Sequence, residues 1–408
     1  METTLDEYLF AIVLLILLSR VLGLILKRFG IAELAGYVAA GLILGPLAIA
    51  LSEPFGLTWG IRPDIPIEVF ADFGILVLML YTGLTTDFHT FRQVKKASVV
   101  VGIAGVAVTF ALMFTALMAV GVGFNASLFI AALLSNTAIE VSAGILMKFP
   151  ESKLKSVVIG ASFVDDFVAV ILLGIVSSLI FVGHPDVVAI SIIGIKVVAF
   201  LLISLFIFAW LLDRAFDRLT RSEEKVLLTA TLLTGLFLAL MAREFGLHPV
   251  IGAYVAGFVI GRWGSIPDPM LEHSVSRNKL IHELEAPLTA FFAPMFFAYI
   301  GLLFMTAGQP DYASLTILVI VLSILGIAGK AIGCGVGARF SGFPAKESLV
   351  IGLAMGGRGG LELVLLRFGL NSEVISSTEF TAVVTVILIT MFVAPILFGQ
   401  SAKRLSED

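Results

Sequence analysis

Long apolar stretches follow one another along almost the whole chain, separated by short polar segments. At about 20 apolar residues per helical crossing, they predict roughly thirteen membrane spans. These spans lie near 6–27, 31–52, 66–86, 97–121, 124–147, 154–182, 187–213, 224–244, 247–262, 285–306, 312–338, 346–368 and 378–399. The composition agrees, because 59% of the residues are hydrophobic and only 14% are charged. The chain is therefore predicted to be an all-α polytopic membrane protein.

The distribution of lysine and arginine predicts the orientation of these spans. Basic residues fall mainly after odd-numbered spans, as do Lys96 after the third and Arg404 after the last, while the opposite loops carry little more than Arg62 and Arg243. By the positive-inside rule, the N-terminus is outside and the C-terminus is cytoplasmic. The acidic start "METTLDEYLF" predicts a retained first span rather than a cleaved signal peptide. We expect a multi-pass protein of the inner (plasma) membrane, surrounded by membrane lipid.

Two blocks of sequence repeat at a common offset. "GIAELAGYVAAGLILG" (30–45) aligns with "GLHPVIGAYVAGFVIG" (246–261), and "LYTGL" (80–84) aligns with "AYIGL" (298–302), an offset of about 218 residues. This predicts two six-helix repeats joined by the seventh span as a linker. Because equivalent helices differ by seven in span number, they cross the membrane in opposite directions, so the second repeat is inverted, an architecture found in secondary transporters.

Two spans carry features that favour a helix broken inside the membrane. The fifth contains "LLSNTAIEVSAGIL" (133–146), with Asn136 and Glu140, and the twelfth contains "GLAMGGRGGLELVLL" (352–366), with Arg358 and Glu362. They are repeat partners, so we expect the broken helices to cross. Half-helix ends carry partial charges that attract or compensate ions. The alternative is two glycine-packed helix contacts with a snorkelling arginine.

Two adjacent carboxylates, Asp165 and Asp166, lie inside the apolar sixth span. A charged side chain at the bilayer centre costs about 3 kcal/mol on insertion scales, so lipid is not their expected neighbour. Burial raises a carboxylate pKa and a nearby cation lowers it, so such a pair exchanges protons near neutral pH. Its deprotonated oxygens are hard ligands for a small cation. A site that binds either protons or a metal ion is the chemical core of an antiporter; the alternative is a structural carboxylate pair.

A buried cation is a natural partner for this pair. Lys330 is the basic residue well inside the eleventh span, in "SILGIAGKAIGCGVGARF" (323–340). A buried ammonium group readily loses its proton, so Lys330 is predicted to pair with an aspartate in one state and release a proton when the ion binds. Lys196 in the seventh span is a rival, and a purely structural salt bridge is the other reading of Lys330.

Other functional classes fit the sequence less well. The single cysteine, Cys334, excludes a disulfide framework and a cysteine-based metal site. With no Ser/His/Asp arrangement, no metal-spaced set of histidines and no phosphate loop, we do not expect an enzyme, a cofactor or a nucleic-acid partner. A passive channel would need a continuous pore rather than broken helices around a titratable pair. A proton-coupled organic anion transporter on the same scaffold stays open because of Arg358.

Several motifs together resemble the monovalent cation/proton antiporter superfamily in its bacterial and archaeal branch. They are "ELAGYVAAGLILGP" (33–46), "FADFGILVLMLYTGL" (70–84), "VDD" (164–166), "GLHPVIGAYVAGFVIG" (246–261), "FFAPMFFAYIGL" (291–302) and the lysine of the eleventh span. The aspartate pair with that lysine is similar to the electrogenic sodium/proton antiporters. Kef-type potassium/proton exchangers tend to have Gln-Asp at this position and a cytoplasmic nucleotide-binding domain, whereas this chain has Val164 before two aspartates and stops at residue 408.

The resemblance implies residue roles. Asp166 would be the essential ion and proton ligand, Asp165 the partner of Lys330, and Thr137 with neighbouring backbone would complete the coordination. Asp165 and Asp166 would thus be the ligands of a monovalent metal cation, and Ser162 is a further candidate ion or proton ligand. Asn136, Glu140, Arg358 and Glu362 are candidate accessory residues of the broken helices. The transported ions would be Na⁺ or Li⁺, or else K⁺, and H⁺.

The resemblance also implies a division into moving parts. A dimerisation domain would comprise spans one to three and eight to ten (1–96 and 223–310), and a core transport domain spans four to six and eleven to thirteen (97–183 and 311–408), with a linker at 184–222. The expected protein is an electrogenic, elevator-type sodium(lithium)/proton antiporter that forms a homodimer and has no soluble regulatory domain in this chain. The alternatives are a Kef-like potassium/proton antiporter and the organic anion transporter.

Overall fold

The protein is described by a computed structural model that is mostly helical within its described ranges. These ranges are 5–28, 32–55, 61, 63, 65–85, 96–138, 146, 153–182, 187–219, 224–247, 249–264, 272–304 and 312–407, and no strand occurs within them. The all-α prediction is therefore confirmed for this part of the chain.

The helices follow the apolar runs of the sequence. Before the linker they are α1 Leu5–Arg28, α2 Glu33–Phe55, α3 Ile65–Thr85, α4 Lys96–Ala119, α5 Phe124–Leu134 and α6 Lys153–Val182. The linker region forms α7 Val187–Leu202, a π-helical segment Ile203–Phe208 and α8 Ala209–Leu219. After it come α9 Glu224–Glu244, α10 Pro249–Trp263, α11 Glu272–Pro287, a π-helical segment Leu288–Phe292, α12 Ala293–Leu303, α13 Tyr312–Phe340, α14 Ala345–Ala354, α15 Gly360–Asn371 and α16 Ser377–Glu407.

Several helical stretches are long and apolar enough to cross a membrane. Within the described residues there are 8, namely Leu5–Arg28, Pro66–Thr85, Lys96–Ala119, Ile195–Asp217, Lys225–Glu244, Glu272–Leu303, Ala313–Phe340 and Ser377–Leu405. Shorter apolar helices cover Glu33–Ala48, Phe124–Leu134 and Pro249–Trp263. The chain is a multi-pass membrane protein, while the larger number of crossings, the orientation and the inverted topology stay predictions.

The chain packs into two compact units. The first comprises Met1–Ile67, Gln93–Leu173 and Phe297–Asp408, and the second comprises Glu68–Arg92 and Gly174–Phe296. In the first unit α13 packs along α4, α14 and α16, and α1 packs on α2; in the second, α9 packs on α10. This division describes packing. The predicted division into core and dimerisation domains concerns bodies that move, and it stays a prediction.

Two helix crossings, one taken from each unit, bring backbones together through glycines at positions that the repeat aligns. In the first unit, a Cβ added at Gly41 of α2 would lie 2.9 Å from the Cα of Gly301 in α12. In the second unit, a Cβ added at Gly257 of α10 would lie 2.8 Å from the backbone nitrogen of Leu84 in α3, and Gly83 is equally close to α10. The predicted repeat offset, about 218 residues, carries Gly41 onto Gly257 and Gly83 onto Gly301. The two crossings are therefore equivalent contacts of the predicted repeats.

Candidate ion-binding site

Two interrupted helices meet in the first unit. The first, α5, ends at Leu134, where the hydroxyl of Ser135 donates to the carbonyl of Ala132 at 2.7 Å. The second interruption lies between α14 and α15, from Met355 to Gly359. The Thr137 hydroxyl donates to the carbonyl of Met355 at 2.9 Å, and the Ala138 amide donates to the carbonyl of Gly357 at 3.0 Å. The two non-helical segments thus satisfy each other's backbone groups inside the protein, as a membrane interior requires.

Glycine is needed where these segments meet. A Cβ added at Gly359 would collide with the Cβ of Ala138, and a Cβ added at Gly360 would lie 2.8 Å from the Phe297 ring. The glycine run in "GGRGGLEL" therefore allows a close approach that larger residues would prevent. The sequence folds this way locally because these glycines also weaken the helix between Ala354 and Gly360.

Arg358 is fully buried at the second interruption. Its Nη1 donates to the carbonyls of Gly356 at 3.1 Å and Gly357 at 3.3 Å, and its Nη2 donates to the carbonyl of Gly326 in α13 at 2.9 Å. The guanidinium therefore compensates the carbonyls beyond the C-terminal end of α14 and ties them to α13. The side chain is buried and does not extend to a membrane surface, so Arg358 is not the snorkelling arginine of the alternative interpretation.

Glu362 stabilises the start of the second half-helix. Its Oε2 accepts a hydrogen bond from the backbone nitrogen of Gly359 at 2.9 Å, and the side chain is buried. A carboxylate at this position satisfies one of the free amides at the N-terminus of α15 and favours its positive partial charge. Glu362 also lies close enough to Arg358 for their charges to interact.

The aspartate of α6 and the lysine of α13 form a buried ion pair. Lys330 Nζ donates to Asp165 Oδ1, and both side chains are 0% exposed. Asp165 Oδ2 makes no hydrogen bond. Asp165 also lies close enough to Arg358 for their charges to interact, so the ion pair and the segment between α14 and α15 belong to one site. Lys196, the rival partner, has an exposed side chain.

The other predicted residues are placed as follows. Asp166 is half-buried and follows Asp165 on α6, so the two side chains point about 100° apart around the helix. Ser162 is buried one turn earlier, and its hydroxyl donates to the carbonyl of Ile159 at 2.9 Å. Asn136 is buried beside Thr137, with no hydrogen bond at Oδ1. Glu140 lies outside the described residues.

Three features of the site were not predicted from the sequence. The first is the carbonyl of Gly326, because every residue has a backbone carbonyl and the sequence does not show which one accepts a hydrogen bond. The second is Gly105 of α4, where an added Cβ would collide with Cys334 Sγ, so glycine allows α4 to pack closely on α13 one turn from Lys330. The third is Thr109, buried on α4, whose hydroxyl makes no hydrogen bond and lies 3.1 Å from a Cβ added at Gly329. A lone threonine in an apolar helix is too common a feature to single out.

The chemistry of the site is that of charge held away from water. Among the described residues, no group of three or more His, Cys, Asp or Glu side chains could hold a resident metal ion. The carboxylates of Asp165 and Asp166 offer hard oxygen atoms of the kind that small cations bind, and Asp165 is paired with the ammonium group of Lys330. Removing one partner of such a buried pair costs about 3–5 kcal/mol, because the remaining charge is left without a counterion.

Comparisons with known proteins identify the family. The sequence matches the Na_H_Exchanger family, described as "Sodium/hydrogen exchanger, transmembrane", over residues 12–403. It is 27% identical to the Na⁺/H⁺-K⁺ antiporter GerN of Bacillus cereus, over 98% of this chain and 99% of that protein. It is 25% identical to a Na⁺/H⁺ antiporter of Enterococcus hirae, over 96% and 98%.

A solved structure has the same fold. It is the sodium proton antiporter MjNhaP1 from Methanocaldococcus jannaschii at pH 8, with a TM-score of 0.71 and 14% sequence identity, over 98% of this chain and 100% of that one. The family match spans nearly the whole chain and so includes α5, α6, α13, α14 and α15, which form the site. The chain belongs to the sodium/hydrogen exchanger family, within the monovalent cation/proton antiporter superfamily.

Proposed function

We propose that this protein exchanges sodium or lithium for protons across the plasma membrane, as a secondary active antiporter. The observation that carries this proposal is the buried pair of Lys330 and Asp165, with an unsatisfied oxygen on Asp165 and a second carboxylate on Asp166. A transported cation is substrate at this site, and no resident cofactor is part of the proposal.

Competition for one carboxylate supplies the coupling. A dehydrated Na⁺ bound by Asp166 and by the free oxygen of Asp165 would draw the Asp165 charge away from Lys330. A buried ammonium group without its counterion is strongly disfavoured, so Lys330 would release a proton toward water. Protonation of Lys330 and Asp166 would then expel the cation. Because these groups interact strongly, the exchanged protons belong to the group rather than to single residues. Two protons per cation is the stoichiometry this scheme favours.

Hydroxyl and amide oxygens would complete the coordination shell. Thr137 and Ser162 each donate their hydroxyl proton to a backbone carbonyl, which leaves oxygen lone pairs available to a cation. The side-chain oxygen of Asn136 accepts no hydrogen bond. Arg358 and Glu362 would keep the interrupted helices in place and balance their end charges.

Alternating access would follow from movement of the core domain (97–183 and 311–408) against the dimerisation domain (1–96 and 223–310), within a homodimer. The glycine crossings at Gly41 and Gly257 support the inverted repeat on which this elevator movement depends. The segment 184–222 would be the linker between the repeats.

The two alternatives differ in the support they receive. Potassium as a transported ion is supported by the name of GerN, a Na⁺/H⁺-K⁺ antiporter, which is similar along its whole length. The organic anion reading depended on Arg358. That guanidinium is engaged by three backbone carbonyls, which leaves it poorly suited to hold an anionic substrate.

The test is dissipation of a preset pH gradient in proteoliposomes on addition of sodium, lithium or potassium in turn. A response to sodium or lithium that is lost in Asp166→Asn and kept in the exposed control Glu373→Gln would support the proposal. Exchange that survives in Asp166→Asn would refute the assigned ligand. A response to potassium alone would favour the Kef-like potassium/proton antiporter. No pH change with any of the three cations would favour the organic anion transporter.

A further inference from the structure

One end of the first unit carries a concentration of positive charge. An apolar cluster that includes Leu154, Ala338, Phe343 and Ala402 is buried there. Basic residues lie at the helix ends next to it, and we call them the basic rim: Lys96, Lys153, Lys155, Arg339, Lys346, Lys403 and Arg404. The described acidic residues at the same helix ends are Glu347 and Glu407, so the rim has a clear positive excess. The predicted orientation places it at the cytoplasmic surface.

Two cations of the rim converge on one residue. Arg339 at the end of α13 donates from Nη1 to the carbonyl of Phe343 at 3.0 Å. Lys153 at the start of α6 has its Nζ 5.1 Å from the centre of the Phe343 ring. Neither contact neutralises a charge, and the side chains of Lys153 and Arg339 are exposed. The two side chains therefore present positive charge together, at a spacing fixed by a buried phenylalanine.

An apolar stripe runs from the rim along α13. Phe340, Val336 and Ile332 are spaced four residues apart and are 84%, 45% and 51% exposed. Next to them α14 packs closely on α13, because an added Cβ at Gly335 would lie 3.3 Å from the carbonyl of Ser348, and Leu349 is 52% exposed. In a membrane helix such a stripe faces acyl chains. A free inorganic anion makes no apolar contacts with such a stripe, whereas a phospholipid can bind the cations through its phosphate and the stripe through an acyl chain.

In the second unit, two basic side chains lie next to carboxylates. There Arg262 lies 2.6 Å from the carboxylate of Asp213, and Asp217 accepts a hydrogen bond from Trp263 at 2.9 Å and lies 3.0 Å from Nε2 of His273. Arg262 and His273 of that unit thus each lie beside a carboxylate of the same unit. In the first unit, the contacts of Lys153 and Arg339 are a phenylalanine ring and a backbone carbonyl, so their exposed positive charges can attract an anion.

We propose that the basic rim and the stripe along α13 bind an anionic phospholipid of the cytoplasmic leaflet. Its phosphate lies at Arg339 and Lys153, and an acyl chain lies along Phe340, Val336 and Ile332. Basic residues near an anionic surface and apolar contacts with acyl chains are the two forces that hold such a lipid. The lipid would bind α13, the helix that also carries Lys330, in either ionic state of the site.

The experiment measures lipid binding, so it does not depend on transport. The full-length protein in neutral detergent is titrated with phosphatidylglycerol or with phosphatidylcholine, and its Tm and the lipid it retains in native mass spectrometry are recorded. We expect phosphatidylglycerol to raise Tm and to be retained, and phosphatidylcholine to do neither. In Lys153→Gln/Arg339→Gln the apparent affinity for phosphatidylglycerol should fall by roughly fivefold per cation removed.

Control variants separate the site from general charge effects. Lys225→Gln removes an exposed cation from the second unit and should bind phosphatidylglycerol like the unaltered protein. Lys153→Arg/Arg339→Lys changes the same two side chains but keeps their charges, so it should also bind phosphatidylglycerol. Phe340→Ser keeps every charge and should weaken retention of phosphatidylglycerol. Equal stabilisation by inorganic phosphate, equal retention of phosphatidylcholine, or unchanged affinity in Lys153→Gln/Arg339→Gln would each overturn the proposal.

Discussion

At the scale of single residues, Lys330 and Asp165 cannot be changed independently. Each is fully buried and each is the other's counterion, so removing one leaves a charge in a medium that cannot solvate it. We expect Lys330→Gln and Asp165→Asn each to destabilise the protein by about 3–5 kcal/mol. The double variant should recover much of that loss, because neither charge of the pair is then left buried without its counterion. Thermal unfolding of the four proteins in detergent checks this, and additive losses would contradict a tight pair.

Arg358 makes a second residue-scale prediction. Its fork reaches carbonyls of two elements at once, whereas a lysine keeps the charge but donates from a single point. Arg358→Gln should lower Tm strongly and stop exchange. Arg358→Lys should keep part of the stability and show a shifted pH profile of exchange, because the interruption is held less firmly beside Asp165. If Arg358→Lys matches the unaltered protein in both measurements, charge alone is what the site requires.

How far the site could be predicted follows from what a sequence encodes. Asp165, Lys330 and Arg358 stand out because a charged residue in an apolar run is costly to bury and usually has a functional role. Their partners on the backbone do not stand out, since the carbonyl of Gly326 exists whatever the residue type. The pairing of Lys330 with Asp165 rather than with Asp166 was implied by the resemblance, and adjacency in sequence could not decide it.

At the scale of helices, we expect substitutions at the two glycine crossings to destabilise the protein by similar amounts. A side chain at Gly83 would meet the backbone of α10, with an added Cβ 2.7 Å from the nitrogen of Phe258. Gly83→Leu should therefore cost about 3 kcal/mol or more, since neither backbone can give way. If the crossings are repeat equivalents, Gly41→Leu should cost a similar amount.

The matched control for the glycine crossings is Gly123→Leu. Gly123 precedes α5, and a Cβ added there meets no atom within 4 Å. This variant should unfold near the temperature of the unaltered protein. Equal loss of stability in all three variants would show that glycine itself, rather than close helix contact, is what these positions need.

Helices were predictable where hydropathy changes and less so elsewhere. The apolar runs located helices such as α1, α4 and α13, because lipid requires about 20 apolar residues for a crossing. The tenth predicted span, 285–306, is only the apolar part of a longer helical stretch from Glu272 to Leu303, since polar residues form a helix equally well outside the lipid. The π-helical segments at Ile203–Phe208 and Leu288–Phe292 carry no periodicity that hydropathy detects.

At the scale of the whole molecule, the stoichiometry decides how the membrane potential acts on transport. Exchange of two protons for one sodium ion moves one net charge per cycle, and about 2.3 kcal/mol per 100 mV acts on that charge. This changes the sodium gradient that the protein can sustain by roughly 50-fold per 100 mV. An electroneutral exchanger would gain nothing from the potential.

The sign of the current after a sodium jump tests this stoichiometry. In proteoliposomes at equal pH on both sides, sodium entering in exchange for two protons should make the interior negative, so the current runs opposite to the sodium movement. Lys330→Gln removes one titrating group; the current should vanish while sodium-dependent pH changes persist. The exposed variant Lys225→Gln should keep both signals. A current in the direction of sodium entry would indicate uncoupled sodium movement, and an unchanged current in Lys330→Gln would remove Lys330 from the proton pathway.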